Sequence, residues 1–290
     1  MGGETIMGSG EFCPVGKLEV LLVATDRSQF SEGAIREAIT FAKKCSSRLY
    51  AVSVLESNPE YETIGSNVFE KEEAEALAYL ESVRERASQE GLACETVLRE
   101  ADDPSQAIVS EATERKVDMI VIGKHGRTGL MKVLMGKTAA NVIAHAPRKV
   151  LVVPKAAKIE YRTILVATDG SEHSDAALTE AIAIAKRCGS LLIALSAIRD
   201  EGEKAEASGH ANRAVELARK EGVSAESIVP TGKAFAAIVE TAGGRGVDLI
   251  VMGTYGRTGM KKLLMGSTTE KVIGDAGCAV LVVKSRETAA

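Results

Sequence analysis

Short apolar runs alternate with longer amphipathic segments along the chain. The first run, Val20–Ala24, is too short for a helix and is bounded by turn residues, as expected of a strand buried on both faces. After it, apolar residues recur every three or four positions, which indicates a helix with Ser28 or Ser31 as its N-cap. The alternation continues through further predicted strands, Leu49–Leu55, Thr96–Leu98, Met119–Ile122 and Val150–Val153, and further predicted helices, Lys71–Glu90, Pro104–Arg115 and Lys137–Ala144.

This pattern occurs twice. Val20–Ser47 returns as Thr163–Ser190 at an offset of 143 residues. Val117–Val153 returns as Val247–Val283 at an offset of 130, with 21 of 37 residues identical. Self-similarity of this kind indicates a duplicated unit. The difference, 143 − 130 = 13 residues, predicts an insertion in the first copy around Glu56–Glu70.

Alternating strands and helices in each copy predict an α/β protein. Parallel strands need crossover connections, so each copy is expected to be a Rossmann-like domain, a five-stranded parallel sheet with helices on both faces. We refer to residues 17–155 as the first unit and to residues 160–286 as the second. Residues 1–16 are interpreted as a leader, disordered or derived from expression. The polar segment Ser57–Phe69 is predicted to be a mobile surface loop whose deletion leaves stability nearly unchanged.

Composition excludes several classes of protein. With 45% hydrophobic and 26% charged residues, the chain is neither disordered, collagen-like nor a coiled coil. A net charge of −4, only 3% aromatic residues and no Trp argue against nucleic-acid binding. No apolar run approaches the roughly 20 residues that span a bilayer, and no secretion signal opens the chain. We therefore expect a cytoplasmic protein without membrane contact.

Neither cysteines nor histidines show a metal-binding pattern. The five cysteines are widely spaced without a C-x-x-C motif, which favours buried free thiols over disulfides or zinc ligands. No metal role is expected for His145, His173 and His210, and His125 is either a phosphate contact or structural. Hydrolase, P-loop and zinc-protease motifs are absent from the sequence, and no residue is identified as a general base. The five cysteines are Cys13, Cys45, Cys94, Cys188 and Cys278.

Glycines follow the fourth strand of each copy. In the second copy Gly253 and Gly256 lead to Gly266-Ser267 at the start of the next helix. Glycines let a backbone approach a ligand closely and adopt positive φ. The N–H groups and dipole of a helix N-terminus suit a phosphate, and the Ser267 hydroxyl is a further donor. The alternative is that these glycines only form turns, but their repetition in both copies favours a phosphate site.

The spacing G-x2-G-x9-G-[S/T], with Asp169 ending the first strand, resembles the universal stress protein family in its tandem two-domain form. The likeness covers nearly the whole chain after the leader. It implies an adenine nucleotide alpha hydrolase-like fold that binds ATP, ADP or AMP, with or without Mg²⁺. It places the phosphates on Gly253, Gly256, Gly266 and Ser267. It places the adenine and ribose near Asp169 and Ala197, although the aspartate of each unit could instead only cap its turn.

The resemblance also implies dimerisation through the fifth strands. Val150–Val153 is therefore expected to pair with Val280–Val283, which makes the chain an intrachain pseudo-dimer. Further homo-oligomerisation stays open.

The first unit departs from the family pattern. Lys137 replaces the serine or threonine, and the nearest hydroxyl is Thr138. After the third strand, Asp102-Asp103 replaces Gly232-Lys233 of the second unit and brings negative charge towards a phosphate. We therefore predict tighter binding in the second unit. The remaining matching positions of the first unit are Asp26, Val54, Gly123, Gly126 and Gly136, and the cations that either contact phosphate or face solvent are Arg127, Lys132, Arg257, Lys261 and Lys262.

Two functions from different classes fit these observations. The first is an adenine-nucleotide-binding regulatory module of the stress response, with at most slow ATP hydrolysis. The second is a nucleotide-independent scaffold that acts through protein contacts. The complete glycine motif of the second unit favours the first function. A nucleotidyl-transfer enzyme is disfavoured, because no second substrate site is visible in the sequence.

Overall fold

The computed structural model describes residues 13–57, 66–125, 135–256 and 265–285. Ten strands within these ranges form one sheet. The strands of the first unit are β1 (Val20–Thr25), β2 (Arg48–Glu56), β3 (Cys94–Ala101), β4 (Met119–Gly123) and β5 (Lys149–Val153). Those of the second unit are β6 (Thr163–Ala167), β7 (Leu191–Leu195), β8 (Ala225–Ile228), β9 (Leu249–Gly253) and β10 (Ala279–Val283).

Helices connect these strands. In the first unit they are α1 (Glu32–Cys45), α2 (Ser66–Gln89), α3 (Pro104–Glu114) and α4 (Lys137–His145). In the second unit they are α5 (Glu172–Cys188), α6 (Lys204–Lys220), α7 (Ala234–Gly244) and α8 (Ser267–Asp275). A short 3-10 turn, Glu201–Glu203, precedes α6.

The strand order is β3-β2-β1-β4-β5-β10-β9-β6-β7-β8. Pairing is parallel inside each unit and antiparallel between β5 and β10, where Val282 faces Val150 and Val280 faces Val152. We call this junction the seam. The predicted α/β fold of two like units is confirmed, and the seam joins their two five-stranded sheets into one.

The core forms two apolar layers, one on each face of the sheet. Successive strand residues alternate between them, so Leu21 and Val23 join one layer while Val20 and Leu22 join the other. Helices α1, α2, α5 and α6 contribute to the first layer and α3, α4, α7 and α8 to the second. Strands covered on both faces are apolar at every position, which explains the continuous apolar runs in the sequence.

Two elements are longer than predicted. Strand β3 pairs with β2 from Cys94 to Ala101, so pairing extends it beyond its short apolar stretch. Helix α2 begins at Ser66, so residues 66–69 of the predicted loop are helical, while residues 58–65 lie outside the described ranges. Ser31 is the N-cap of α1 by position only, because its hydroxyl donates to the Ser28 carbonyl (2.9 Å) and makes no cap bond.

The expectation that all cysteines are free thiols is wrong for two of them. Cys13 and Cys45 form a disulfide, with Cα atoms 4.3 Å apart. Neighbouring Val15 is buried in the core, so residues 13–16 are packed rather than part of a disordered leader. Sequence spacing could not show that residue 13 folds back onto the end of α1. The remaining thiols, Cys94, Cys188 and Cys278, are buried or half-buried, and burial raises their pKa to about 11.

Lysines cross the seam in both directions. The Lys124 ammonium, after β4, donates to the Ala276 carbonyl (3.3 Å) at the C-terminus of α8. The Lys284 ammonium, after β10, donates to the carbonyls of Ala144 (2.9 Å) and Ala146 (2.6 Å) at the C-terminus of α4. A cation at a helix C-terminus satisfies free carbonyls and interacts favourably with the helix dipole. Each unit thus stabilises the last helix of the other.

Desolvation of Lys284 makes the stability of the seam pH-dependent. Burial lowers the pKa of Lys284 from 10.5 to about 8. Between these pH values the unfolded chain binds more protons than the folded one, so the contribution of Lys284 to stability rises with pH. The free energy of unfolding of the wild type should therefore increase relative to Lys284→Met between pH of about 8 and about 10.5. Urea denaturation of both proteins measures this, and a difference that stays constant would contradict it.

Within the described residues, no helix combines the length and the apolar character needed to cross a bilayer.

Candidate functional site

A cavity of about 810 Å³ opens at the carboxyl ends of β6, β7 and β9 in the second unit. Strand β6 lies between β9 and β7, and the helices that follow β6 and β9 pack on opposite faces of the sheet. Such a reversal of strand order leaves a crevice in which α/β proteins bind ligands. The volume lies within the usual range for small-molecule and cofactor sites, roughly 300–1,000 Å³.

Six residues that the sequence assigned to the second site line this cavity. They come from four separate segments of the chain, which the fold brings to one sheet edge. The six are Asp169, Ala197, Gly253, Gly256, Gly266 and Ser267.

The glycines of the loop are required for space and not for an unusual backbone conformation. A Cβ on Gly253 would lie 2.6 Å from the His173 carbonyl oxygen, and one on Gly256 would lie 2.6 Å from Asp169 Oδ2. One on Gly266 would lie 3.2 Å from the Thr254 carbonyl oxygen. The expected positive φ is absent at these three glycines. Close approach to neighbouring backbone at Gly253 and Gly266, and to the Asp169 carboxylate at Gly256, is therefore the property that favours glycine.

Hydrogen bonds fix the start of α8 above this loop. The Gly266 N–H donates to the Thr254 carbonyl (2.9 Å), and the Thr269 hydroxyl donates to the Gly253 carbonyl (3.0 Å). Ser267 is exposed in the first turn of α8, next to the free N–H groups of the helix. Residues 257–264 lie outside the described ranges, so the predicted cations Arg257, Lys261 and Lys262 have no structural account.

The aspartates at the ends of β1 and β6 do cap the turns that follow them. Asp169 Oδ1 accepts from the Ser171 N–H (3.1 Å) and hydroxyl (2.6 Å). Asp26 Oδ1 accepts from the Ser28 N–H (3.1 Å) and hydroxyl (2.8 Å). Each carboxylate has a second oxygen, and Asp26 Oδ2 is buried without a hydrogen-bond partner in the described part of the chain. Turn capping and ligand contact are therefore compatible roles.

Several cavity residues were not identified from the sequence. Tyr255 packs against His173 with ring centroids 5.3 Å apart, and the Lys271 ammonium lies 5.0 Å from the centre of the Phe235 ring. Burial raises the pKa of Tyr255, which keeps its hydroxyl protonated near neutral pH. Most of these residues occupy helical positions that the amphipathic pattern leaves indistinct. The missed residues include Tyr255, Phe235, Lys271, Arg199, Glu203, Glu206 and His210.

The first unit holds its matching residues at equivalent places. Asp26 follows β1, Val54 lies in β2, Gly123 ends β4, and Gly136 is the N-cap of α4, with Thr138 exposed in the first turn. Gly126 lies outside the described ranges, as do Arg127 and Lys132. Each of these two helices, α4 and α8, begins at the carboxyl ends of its own unit's strands. Because β5 and β10 are antiparallel, the two helix starts lie at opposite edges of the sheet. Their cap geometry is nearly identical, with φ −65° and ψ 139° at Gly136 and φ −68° and ψ 138° at Gly266.

Other side chains distinguish the first unit. The Asp103 carboxylate caps α3 by accepting from the N–H of Ser105 (2.8 Å), and the Ser105 hydroxyl lowers its pKa. Its negative charge therefore has a structural partner as well as an expected effect on phosphate. Arg27, at the position of Gly170, donates to the Glu72 carbonyl (3.3 Å) and is 10% exposed. The first unit thus fills with a side chain a position that is glycine in the second.

His125 lies in the glycine loop of the first unit. Its ring meets Phe30 edge-on, with centroids 6.1 Å apart. Burial, followed by the neighbouring Lys124 ammonium, lowers the pKa of His125. A neutral imidazole near pH 7 makes a weaker phosphate contact than a cation, so this geometry favours its structural role.

Comparisons with known proteins agree on one family. The model of the universal stress protein family matches residues 18–154 and 160–284. Universal stress protein MJ0531 of Methanocaldococcus jannaschii is 34% identical over 146 residues, which cover 48% of this chain and 83% of that protein. A universal stress protein of Mycolicibacterium smegmatis is 29% identical over 212 residues, 68% of this chain and 70% of that protein.

Solved structures with a similar fold belong to the same family. The crystal structure of a universal stress protein from Archaeoglobus fulgidus superposes with a TM-score of 0.77 at 21% identity. The match covers 93% of this chain and 97% of that one. At this identity the likeness is one of fold, and it extends across both units and the seam.

Proposed function

The chain belongs to the universal stress protein family in a tandem two-domain form, and on that premise we propose that it binds an adenine nucleotide in the cavity of the second unit. The bound nucleotide acts as a regulatory or structural ligand in a stress-response module. One solved universal stress protein is in complex with cAMP, which is an adenine nucleotide.

One observation carries the proposal: the start of α8 and the glycine loop form one end of an open cavity. Free N–H groups and the positive end of the helix dipole at Gly266 favour a phosphate, and the Ser267 hydroxyl adds a donor. Lys233 and Lys271 line the same cavity and contribute positive charge. Asp169 and Ala197 line the same cavity, and we propose that they border the nucleoside.

We propose no dedicated catalytic role. Three carboxylates of the cavity come from Asp169, Glu203 and Glu206. Asp169 already caps a turn, and Glu203 accepts from the Arg199 N–H at 2.8 Å. Glu206 Oε1 lies 3.6 Å from His210 Nε2. Each of the three carboxylates thus has a neighbouring polar group within the protein, so any ATP hydrolysis would be slow and would arise from positioning of the phosphates.

We also propose that the two units act as an intrachain pseudo-dimer. The β5–β10 pairing, the reciprocal lysine caps and the ion pair between Lys149 and Glu180 (2.7 Å) support this. Lys149 and Glu180 are both largely buried, so the pair is less screened by solvent than a surface pair.

The first test is mass spectrometry of small molecules released from the purified protein, followed by calorimetry with ATP, ADP and AMP. A retained adenine nucleotide, or saturable binding, supports the proposal. Protein that carries no nucleotide and binds none of the three would contradict it and favour the scaffold function.

Removal of the Ser267 hydroxyl should weaken ATP binding. Hydrogen bonds to charged groups contribute about 1.5–3 kcal/mol, so Ser267→Ala should lower the affinity of the tight phase roughly ten- to hundred-fold. Thr138→Ala, which removes the nearest hydroxyl of the first unit, is the matched control and should leave that phase unchanged. Calorimetry compares the two variants, and equal losses in both would show that the units do not differ.

A further inference from the structure

His210 is held at the wall of the cavity by two separate elements. It projects from α6, and its ring lies directly against the backbone of Gly170 in the turn after β6. A Cβ at Gly170 would lie 2.2 Å from His210 Cε1, so the ring occupies space that only a glycine leaves open. Gly170 also has a positive φ of 74°, which glycine adopts readily. The position of the imidazole is therefore fixed by α6, which carries it, and by the glycine turn after β6, which leaves space for it.

The Nε2 atom of His210 is buried but has no hydrogen-bond partner in the part of the chain that the structure describes. Glu206 Oε1 lies 3.6 Å away, beyond hydrogen-bond distance. A buried polar atom left without a partner is unfavourable, because it loses its hydration without gaining a hydrogen bond. Because His210 lines the cavity, a molecule bound there can supply the missing partner.

His210 and the start of α8 approach the cavity from opposite faces of the sheet. Helix α6 packs on one face of the sheet through Ala214 and Val215, whereas α8 packs on the other through Val272 and Ile273. The residue that His210 touches, Gly170, directly follows Asp169. His210 therefore borders the region of Asp169, where the nucleoside is proposed to lie.

The first unit lacks this arrangement. Tyr79 precedes the last residue of α2 by ten positions, as His210 precedes the last residue of α6. The Tyr79 hydroxyl donates to Glu32 Oε1 at 2.8 Å, so its polar atom is satisfied within the protein. An imidazole with an unpartnered nitrogen is thus a feature of the second unit.

We propose that His210 is a specificity-determining residue that hydrogen-bonds the nucleoside part of the nucleotide bound in the second unit. The ring nitrogens of an imidazole each make a single directional hydrogen bond, which suits the hydroxyls of a ribose or the edge of a base. The inference rests on the proposed function and assigns it a residue outside the glycine motif.

Calorimetry with two ligands tests this assignment. ATP contains both nucleoside and phosphates, whereas inorganic tripolyphosphate contains only phosphates. His210→Phe keeps the ring but removes both nitrogens, and His210→Gln keeps a donor and an acceptor. We expect His210→Phe to bind ATP roughly five- to hundred-fold more weakly, which corresponds to one unsatisfied polar group. His210→Gln should retain most of the affinity, and tripolyphosphate should bind equally to both variants and the wild type.

Tyr79→Phe is the matched control in the first unit and should leave the tight phase of ATP binding unchanged. Thermal unfolding shows whether each variant is folded. If His210→Gln and His210→Phe are equally destabilised, the ratio of their ATP affinities shows whether His210 hydrogen-bonds the nucleoside. Unchanged ATP affinity in His210→Phe, or equal loss of ATP and tripolyphosphate affinity, would overturn the role of His210. A wild type that binds tripolyphosphate but shows no preference for ATP would also overturn it. A wild type that binds neither ligand would refute the proposed function itself.

Discussion

Gly266→Val is expected to abolish the tight phase of ATP binding, with a loss of more than about a hundred-fold, while Gly136→Val leaves that phase almost intact. Gly266 has φ −68° and ψ 138°, a conformation that valine adopts without strain. The effect comes from space, because a Cβ would lie 3.2 Å from the Thr254 carbonyl oxygen and 3.4 Å from Tyr255 Cα. The branched side chain would separate the start of α8 from the loop and occupy room proposed for phosphate.

Gly253→Val serves as a contrasting control. A Cβ at residue 253 would lie 2.6 Å from the His173 carbonyl oxygen, so the new side chain would clash with the backbone of α5. We expect this variant to lose stability as well as binding, whereas Gly266→Val should keep a native circular dichroism spectrum and lose binding alone. If Gly136→Val removes the tight site and Gly266→Val spares it, the assignment of the units is reversed.

The expected difference in nucleotide affinity between the two units has several physical causes. The second unit has Ser267 and Lys233 at its phosphate end, where the first has Lys137 and Asp103. The charge of Asp103 persists at neutral pH, because the Ser105 hydroxyl lowers its pKa. An anion beside a polyphosphate is unfavourable, and only Lys137 opposes this trend.

The fold was predictable because the sequence pattern that indicates it occurs twice. Both copies repeat the same alternation of apolar runs and amphipathic segments, and a strand such as β4 is buried at all five positions, so its sequence contains no polar residue. Boundaries were less predictable where pairing decides them. Strand β3 has mixed burial, and its length follows from its register with β2 and not from its own composition.

The lining of the candidate cavity was predictable where backbone geometry requires a particular residue. Gly253 and Gly266 are recognisable because they lie close to other backbone atoms, and Gly256 because it lies against the Asp169 carboxylate. His210 was dismissed because it matches no metal-ligand spacing, and its proximity to Gly170 depends on the packing of α6, which local sequence does not encode. The Cys13–Cys45 disulfide was missed for the same reason, since it joins residues 32 positions apart. Disulfides are rare in cytoplasmic proteins, so this bond does not support the expectation of a cytoplasmic location.

Val282→Asp is expected to lower the free energy of unfolding by more than about 3 kcal/mol and to loosen contact between the units. Val282 is 1% exposed, pairs with Val150 across the seam and belongs to the apolar layer that both units share. A carboxylate there loses its hydration. Lys284 lies two residues further along the chain, but its ammonium already donates to two carbonyls of α4, so it offsets little of this cost.

Two further substitutions separate the effect of the charge on stability from the effects of side-chain size and of burial. Val282→Asn is similar in size to the aspartate without its charge, and Val68→Asp introduces the same charge at a position of α2 that is 38% exposed. We expect Val68→Asp to change stability by no more than about 0.5 kcal/mol and Val282→Asn to fall between the two. Small-angle scattering reports the packing of the units, and urea denaturation reports their stability. If Val282→Asp leaves both the packing and the stability unchanged, contacts other than the β5–β10 pairing hold the units together. Contacts between helices would then have to account for the pseudo-dimer.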